Sequence, residues 1–267
     1  MTGDPNPLSA PGTFPGLPPG SPVFRPARRR WLRRTRPEPT LWISDEPVDT
    51  PAAAHPEQPG LRAVLLHDRP GLEEWWAADV MERDAVSAPG DHDAEDVLRD
   101  YWHAVIADPE EGAEGEDLIA PFGRDWPGLA PAGRDPEAAG ADALARELIR
   151  DGWFGRPRLA LVPVGRGADV PAAIRWSGPV NHENDTARIS AVLRSWEDRY
   201  GVRVLALGFD RLDLHVAAPP RTLAEAIPLA AEHFAFCPDN VWQGSGTVRD
   251  YAQEALVGSD HWSFWWD

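Results

Sequence analysis

Lysine does not occur in this chain: all 26 cationic residues are arginine, set against 43 aspartates and glutamates. The resulting formal charge of −17 argues against non-specific binding of the body of the protein to nucleic acid or anionic membrane, since both are polyanions. Cysteine occurs once, at Cys237, which rules out an internal disulfide and fits a reducing compartment. One cysteine with scattered histidines also falls short of the closely spaced ligands of a structural zinc site, so neither a metal nor another cofactor is expected. No apolar run approaches the roughly 18 residues of a membrane span. The early arginines lack the apolar stretch of a secretory signal, and prolines break up any amphipathic transit helix. These absences lead us to expect a cytoplasmic protein, and the Arg/Ala/Pro/Gly-rich composition reads as the coding bias of a GC-rich bacterial genome.

What is present suffices for a sizeable core: 267 residues, 42% apolar, with 13 tryptophans. Charge and composition divide the chain unevenly. Residues 1–39 hold ten prolines, four glycines and seven arginines against two acids, whereas the remainder carries a net of −22. Such a segment buries too little to offset the entropy of ordering, so 1–39 is expected to be a disordered tail. Its Arg25 to Arg36 stretch, with Trp31, is the one place where RNA or phosphate could bind; a solvated tail, or a start codon assigned too early, is the plainer reading.

From Thr40 onward, Leu41–Ile43 and Leu61–Leu66 read as strands, and Leu72, Trp75, Trp76 and Val80 suggest a short helix. Val97, Leu98, Tyr101, Trp102, Val105 and Ile106 recur at helical spacing, predicting a helix from Asp93 to Ala107, with a solvated acidic loop from Asp108 to Asp117. Pro121–Leu129 is too rich in proline and glycine for regular structure and too aromatic to be exposed, so it should pack as an ordered connector. Asp135–Pro136 opens a further helix that buries Ala141, Leu144, Leu148 and Ile149. The final third predicts a strand at Leu159–Val164 and a helix capped by Asp185 and ended by Gly201. A hairpin of Val202–Leu207 with Leu212–Val216 follows, then a helix from Thr222, another from Thr247, and a last strand from His261. The expected fold class is α+β, a mixed or antiparallel sheet with helices packed on it, whose C-terminal part has split βαβ (ferredoxin-like) order. Residues 40–157 should form an N-terminal α+β portion packed on a C-terminal domain, 158–267. Trp262, Phe264 and Trp266 on one face of the last strand and Trp265 on the other demand cover from both sides.

The densest polar cluster surrounds the helix that starts at the Thr222/Glu225 capping box and stops at Cys237–Pro238. Its candidate reactive or binding residues are Glu232, His233, Cys237, Asp239 and Trp242, with His182 and Glu183 from the Asn181–Asp185 run as outside members. His233 and Cys237 lie one turn apart, so they could form a nucleophile–base pair or two metal ligands. Equally, a cysteine between phenylalanines is a small hydrophobe and the Asn181–Asp185 run a helix cap. Gly244–Thr247 could bind an anion at a helix start but lacks the lysine and spacing of a phosphate loop.

Several of these segments together resemble a known family. Trp176-Ser-Gly-Pro-Val-Asn181, Val192–Glu197, Ala218-Pro-Pro220, Ala231–Phe234, Cys237-Pro-Asp-Asn-Val-Trp-Gln-Gly244 and the ending Trp265-Trp-Asp267 are similar to the bacterial domain-of-unknown-function family 4253, over about residues 158–267. That resemblance implies no activity, substrate or catalytic residue. Function is therefore expected from composition: a non-catalytic protein-interaction or regulatory module, of the immunity-like kind, meeting a protein partner through its acidic body. The alternatives are a hydrolase or transferase using the His233/Cys237/Asp239 region, and a small-ligand sensor.

Overall fold

Val64, Leu65 and Leu66 are consecutive and fully buried, so the strand that carries them is covered on both faces and belongs in the middle of a sheet. A computed structural model describes residues 6–9, 14–24, 38–51, 59–67, 87–107, 115–134 and 140–267. The arginine arm, the expected helix around Leu72–Val80 and the Asp135–Pro136 helix start lie outside these residues. Seven strands form one sheet: β1 Gly20–Phe24, β2 Pro39–Ser44, β3 Arg62–Leu66, β4 Arg158–Val162, β5 Val202–Leu207, β6 Arg211–Val216 and β7 His261–Trp265. Their order is β1-β2-β4-β3-β5-β6-β7, antiparallel throughout except for the parallel pair β3/β5.

The mixed α/β class is as expected, but the sheet order is not that of a split βαβ unit. The strand–helix–strand–strand–helix–strand succession is present after residue 158, yet β4 and β5 are separated by β3 from the N-terminal half, and β5, β6 and β7 lie side by side in chain order. The doubly buried β3 takes the central slot that the second half alone would have had to fill. The other departure is β1. Gly20–Phe24 falls inside the stretch expected to be disordered, but pairs with β2 from Gly20↔Ser44 to Phe24↔Pro39. Pro22 signals a break in the sequence but is tolerated at a sheet edge, where one side of the strand needs no donor. Leu8, also in that stretch, is buried beside Trp42.

Seven helices accompany the sheet among the described residues: α1 Ala94–Ala107, α2 Gly115–Leu118, α3 Ala141–Arg150, α4 Val170–Ile174, α5 Thr186–Tyr200, α6 Leu223–Phe236 and α7 Val248–Tyr251. The one-turn α2 occupies the end of the segment expected to be loop. Caps set the long helices. Asp185 accepts from the Ala187 amide at 3.1 Å, Thr222 and Glu225 form the reciprocal box, and Gly201 ends α5 with φ 64°. Helices α1, α5 and α6 share one core with one face of the sheet, which includes Leu212, Leu214, Trp262 and Phe264. On the other face α3 and Phe154 cover Leu65, Leu205 and Ala206, while Leu8 and Leu61 sit with Trp42, Leu159 and Leu161.

Trp196 of α5 is the hub of the larger core, stacked on Phe264 at 5.5 Å and edge-on to Phe236 and Trp262. The connector Pro121–Ala130 is held as its composition implied. Trp102 gives its indole N–H to the Arg124 carbonyl at 3.0 Å and meets Phe122 and Trp126 edge-on. Strand β7 is less enclosed than expected: Trp262 and Phe264 are buried, but Trp265 on the opposite face is only half-buried.

Candidate functional site

Proline at 238 keeps Cys237 out of helical conformation, and the chain leaves α6 through a wide turn, Asn240–Ser245. This delivers Cys237 and Asn240 to the free edge of β7. Cys237 donates its thiol hydrogen to the Trp265 carbonyl, 2.9 Å from Sγ, and Asn240 Nδ2 donates to the Ser263 carbonyl at 2.8 Å. Ser259 Oγ covers the third alternate carbonyl, that of His261, at 2.7 Å. An edge strand otherwise presents just these acceptors to a second chain. Asp239 continues the fastening, accepting from the Asp267 amide at 3.2 Å, and Asn181 Nδ2 reaches the Asp267 carbonyl at 2.9 Å.

His233 stands behind this clip. Asn240 Nδ2 also donates to the Tyr251 hydroxyl at 3.2 Å, and that hydroxyl lies 3.0 Å from His233 Nδ1. Which of the two donates depends on the histidine tautomer. Nε2 has no hydrogen-bond partner among the described residues and is enclosed by the rings of Trp196 and Trp262, at centroid distances of 4.7 and 4.5 Å. Burial, and secondarily the charge of Arg199, hold His233 well below the usual imidazole range. Burial drives the Cys237 thiol far above its ordinary value. The thiol is bonded to the Trp265 carbonyl and the imidazole to the Tyr251 hydroxyl, so the two do not hydrogen-bond each other as a nucleophile and its base would.

Glu232 points away from both, into a separate polar knot. Its carboxylate accepts from Arg199 at 2.8 and 2.6 Å, from the Trp196 indole at 2.8 Å and from the Ala130 amide at 2.6 Å. This buried bidentate pair ties α5, α6 and the connector together.

The remaining candidates form a rim. Glu183 accepts from Tyr101 at 2.9 Å and forms an ion pair with Arg188 at 2.8 Å, while the His182 ring lies 4.7 Å from that of Tyr101 and burial lowers its pKa. Trp242 packs edge-on to Phe234. The structure therefore brings His182 and Asp239 near Cys237 and the C-terminal residues, while Glu232 and His233 are buried and engaged elsewhere. Among the described residues no group of three or more His, Cys, Asp or Glu side chains has the geometry to hold a metal ion.

Two polar constellations escaped the sequence reading. Ser87 Oγ lies 2.5 Å from His92 Nε2 and 2.6 Å from Asp185 Oδ2. Asp185 contacts the serine and not the far ring nitrogen, so it does not orient His92 as a triad carboxylate would; the group fastens residues 87–92 to the start of α5. A neighbouring groove of about 360 Å³ is lined by Arg166, Arg194 and Arg199, each already paired with a carboxylate. The second constellation is on the opposite sheet face. Asp213, fully buried on β6, accepts from His261 Nε2 at 2.9 Å and the Trp153 indole at 2.8 Å, and its other oxygen faces His67 Nε2 at 3.4 Å. Burial opposes the charge of Asp213, but the bond from His261 and the nearby His67 ring outweigh it and hold the carboxyl well below its ordinary range. The legible signal was Asp213-Leu-His215, two alternate polar residues in an otherwise apolar strand.

These features define a seven-stranded mixed α/β protein whose C-terminal strand is fastened at its edge by the turn after α6. Residues 158–267 match the model of the family described as Domain of unknown function (DUF4253). No curated protein and no solved structure matches the chain. The family-like segments are structural in this chain. Trp176 bonds the Gly208 carbonyl at 2.7 Å and meets Trp266 edge-on, and Gly178 leaves space for the Trp176 indole that any Cβ would invade.

Proposed function

We propose that this protein is a non-catalytic interaction or regulatory module, of the immunity-like kind, that acts in the cytoplasm by binding a basic protein partner through its acidic body. The observation that carries this reading is the use of Cys237, Asn240 and His233 as an internal fastening, which leaves the densest polar segment no reactive group to offer. The charge of −17 favours a cationic partner and fast, salt-sensitive association. No helix among the described residues is long and apolar enough to cross a membrane. The test is to titrate the purified chain with the basic proteins encoded beside its gene, at low and at physiological ionic strength. A stoichiometric complex that weakens with salt supports the reading. Saturable hydrolysis or group transfer that is lost in Cys237→Ala would replace it with the enzyme alternative.

A further inference from the structure

Ala191, Arg194, Ser195, Asp198 and Arg199 fall at i, i+3, i+4, i+7 and i+8, so one stripe of α5 carries no large apolar side chain. Val192, Leu193, Trp196 and Tyr200 are buried beside it in the core. Where the polar stripe faces the start of α1, Gly90, Ala94 and Ala191 are too small to close the gap, and the groove of about 360 Å³ opens there. Its lining charges are Arg166, Arg194 and Arg199 against Asp93, Glu95 and Asp198, equal in number. His92, which also lines it, is engaged with Ser87.

Donors stand on the α5 wall. Arg194 gives Nε and Nη2 to the two oxygens of Asp169, at 2.5 and 2.8 Å, which leaves Nη1 without a hydrogen-bond partner among the described residues. That Nη1 lies at the groove wall, 3.7 Å from the place a Cβ on Gly90 would occupy. Ser195 Oγ, next in the chain, accepts from Arg199 Nε at 3.0 Å, so its own proton is free to be donated. The Asp169 bond raises the pKa of Arg194, while the nearby charge of Arg166 works against it, a repulsion that a negative group at Nη1 relieves. Acceptors stand on the α1 side. Asp93 caps the helix through Oδ1 alone, 2.9 and 3.2 Å from the Glu95 and Asp96 amides. Glu95, its side chain 43% exposed, meets Arg99 only loosely, at 3.6 Å.

A plain anion is disfavoured here, because Asp169, Glu197 and Glu232 behind the guanidiniums add to Asp93, Glu95 and Asp198 and outnumber the three arginines. A plain cation leaves the Arg194 and Ser195 donors unused. A molecule that carries both charges engages both walls. We propose that the groove binds a small zwitterion, an amino acid or dipeptide with a free ammonium and a free carboxylate. The carboxylate takes the donors of Arg194 and Ser195, and the ammonium meets Asp93 and Glu95. Leu129, which also lines the groove, offers apolar contact to the carbons between them. The guanidiniums are already immobilised by their carboxylates, so little side-chain entropy is left to lose on binding. This site is independent of the partner-binding reading and gives the protein a small-molecule input where α1 meets α5.

The experiment uses the full chain and follows the backbone amide resonances of Asp93 and Ser195 at constant ionic strength. The probes are glycine, γ-aminobutyrate, ε-aminocaproate and glycylglycine, with acetate and methylamine as single-charge controls. The series varies the spacing of the two charges and separates an amino-acid ligand from a peptide one. We expect at least one zwitterion to shift both resonances saturably, at least about tenfold more tightly than either control. Ser195→Leu, which fills the groove and leaves the Arg194–Asp169 pair in place, should weaken that binding about tenfold or more. Asp93→Asn with Glu95→Gln keeps a helix cap but removes the charges that meet the ammonium, so the zwitterion should then bind no more tightly than acetate. No saturable shift with any of the four up to about 100 mM overturns the proposal. So does unchanged affinity in Ser195→Leu, or an advantage over acetate that survives in the double variant.

Discussion

Cys237 is bonded through Sγ to the carbonyl of Trp265, 28 positions later, at 2.9 Å. A residue that looks like a nucleophile in the sequence thus serves as a donor to the free edge of the last strand. Three alternate β7 carbonyls are covered by side chains of Ser259, Asn240 and Cys237, which leaves that edge little with which to recruit another strand.

From this relationship Cys237 should react slowly with a thiol reagent in the native protein and rapidly once denatured. Cys237→Ala should lose about 1 kcal/mol from the small cavity and the lost bond, measured by urea unfolding. Rapid native labelling that is suppressed by His233→Ala would contradict the buried-donor assignment.

Asn240 donates twice, to Ser263 and to Tyr251. Asn240→Leu removes both donors and leaves a carbonyl uncovered, which should cost about 1–3 kcal/mol. A midpoint of denaturation unchanged within error would show that water replaces the amide at no cost.

For Glu232 and Arg199 the contrast between single and double substitution is the useful measurement. Glu232→Gln or Arg199→Met leaves one buried member without its partner and should cost roughly 3–5 kcal/mol, whereas Arg199→Met with Glu232→Leu should recover much of the loss. A double variant as unstable as the sum of the singles would mean that the two side chains are not coupled, against the pairing described here.

Acid should destabilise the fold in two steps. His233 is held neutral, so the unfolded chain binds its proton first; stability is full above the ordinary imidazole value of about 6.5 and declines as pH falls below it. Asp213 is depressed, so its contribution is full above the unfolded carboxyl value of about 3.9 and is lost as pH falls toward the folded one. His233→Phe should flatten the curve between about pH 5 and 6.5, and Asp213→Asn the part below about pH 4. Unchanged unfolding profiles in both variants would refute the assignments.

The local elements were largely legible, because caps and spacing are written in neighbouring residues. Thr222 with Glu225, Asp185, and the β5/β6 hairpin each announce themselves within a few positions. Strand order was not, since the place of β3 between β4 and β5 depends on contacts between residues 92 to 141 positions apart. β1 was hidden for another reason: proline reads as a break unless it is known to lie at an edge. Of the candidate cluster, proximity in sequence was mistaken for convergence. Glu232 and His233 are adjacent on α6, but one faces Arg199 and the other Tyr251. The Asp213 group had the opposite character, with members at 67, 153, 213 and 261 and only the polar alternation in β6 as a local trace.

Strand β4 opens the family-matched segment, yet the strands on its two sides, β2 and β3, both come from before residue 158. A fragment beginning there would retain every recognisable motif and still be torn through the middle of its sheet, with β4 missing both neighbours and β5 missing one. The border drawn by sequence likeness thus runs through the sheet and not around it. What precedes it supplies the strands on both sides of β4 and belongs to the same sheet.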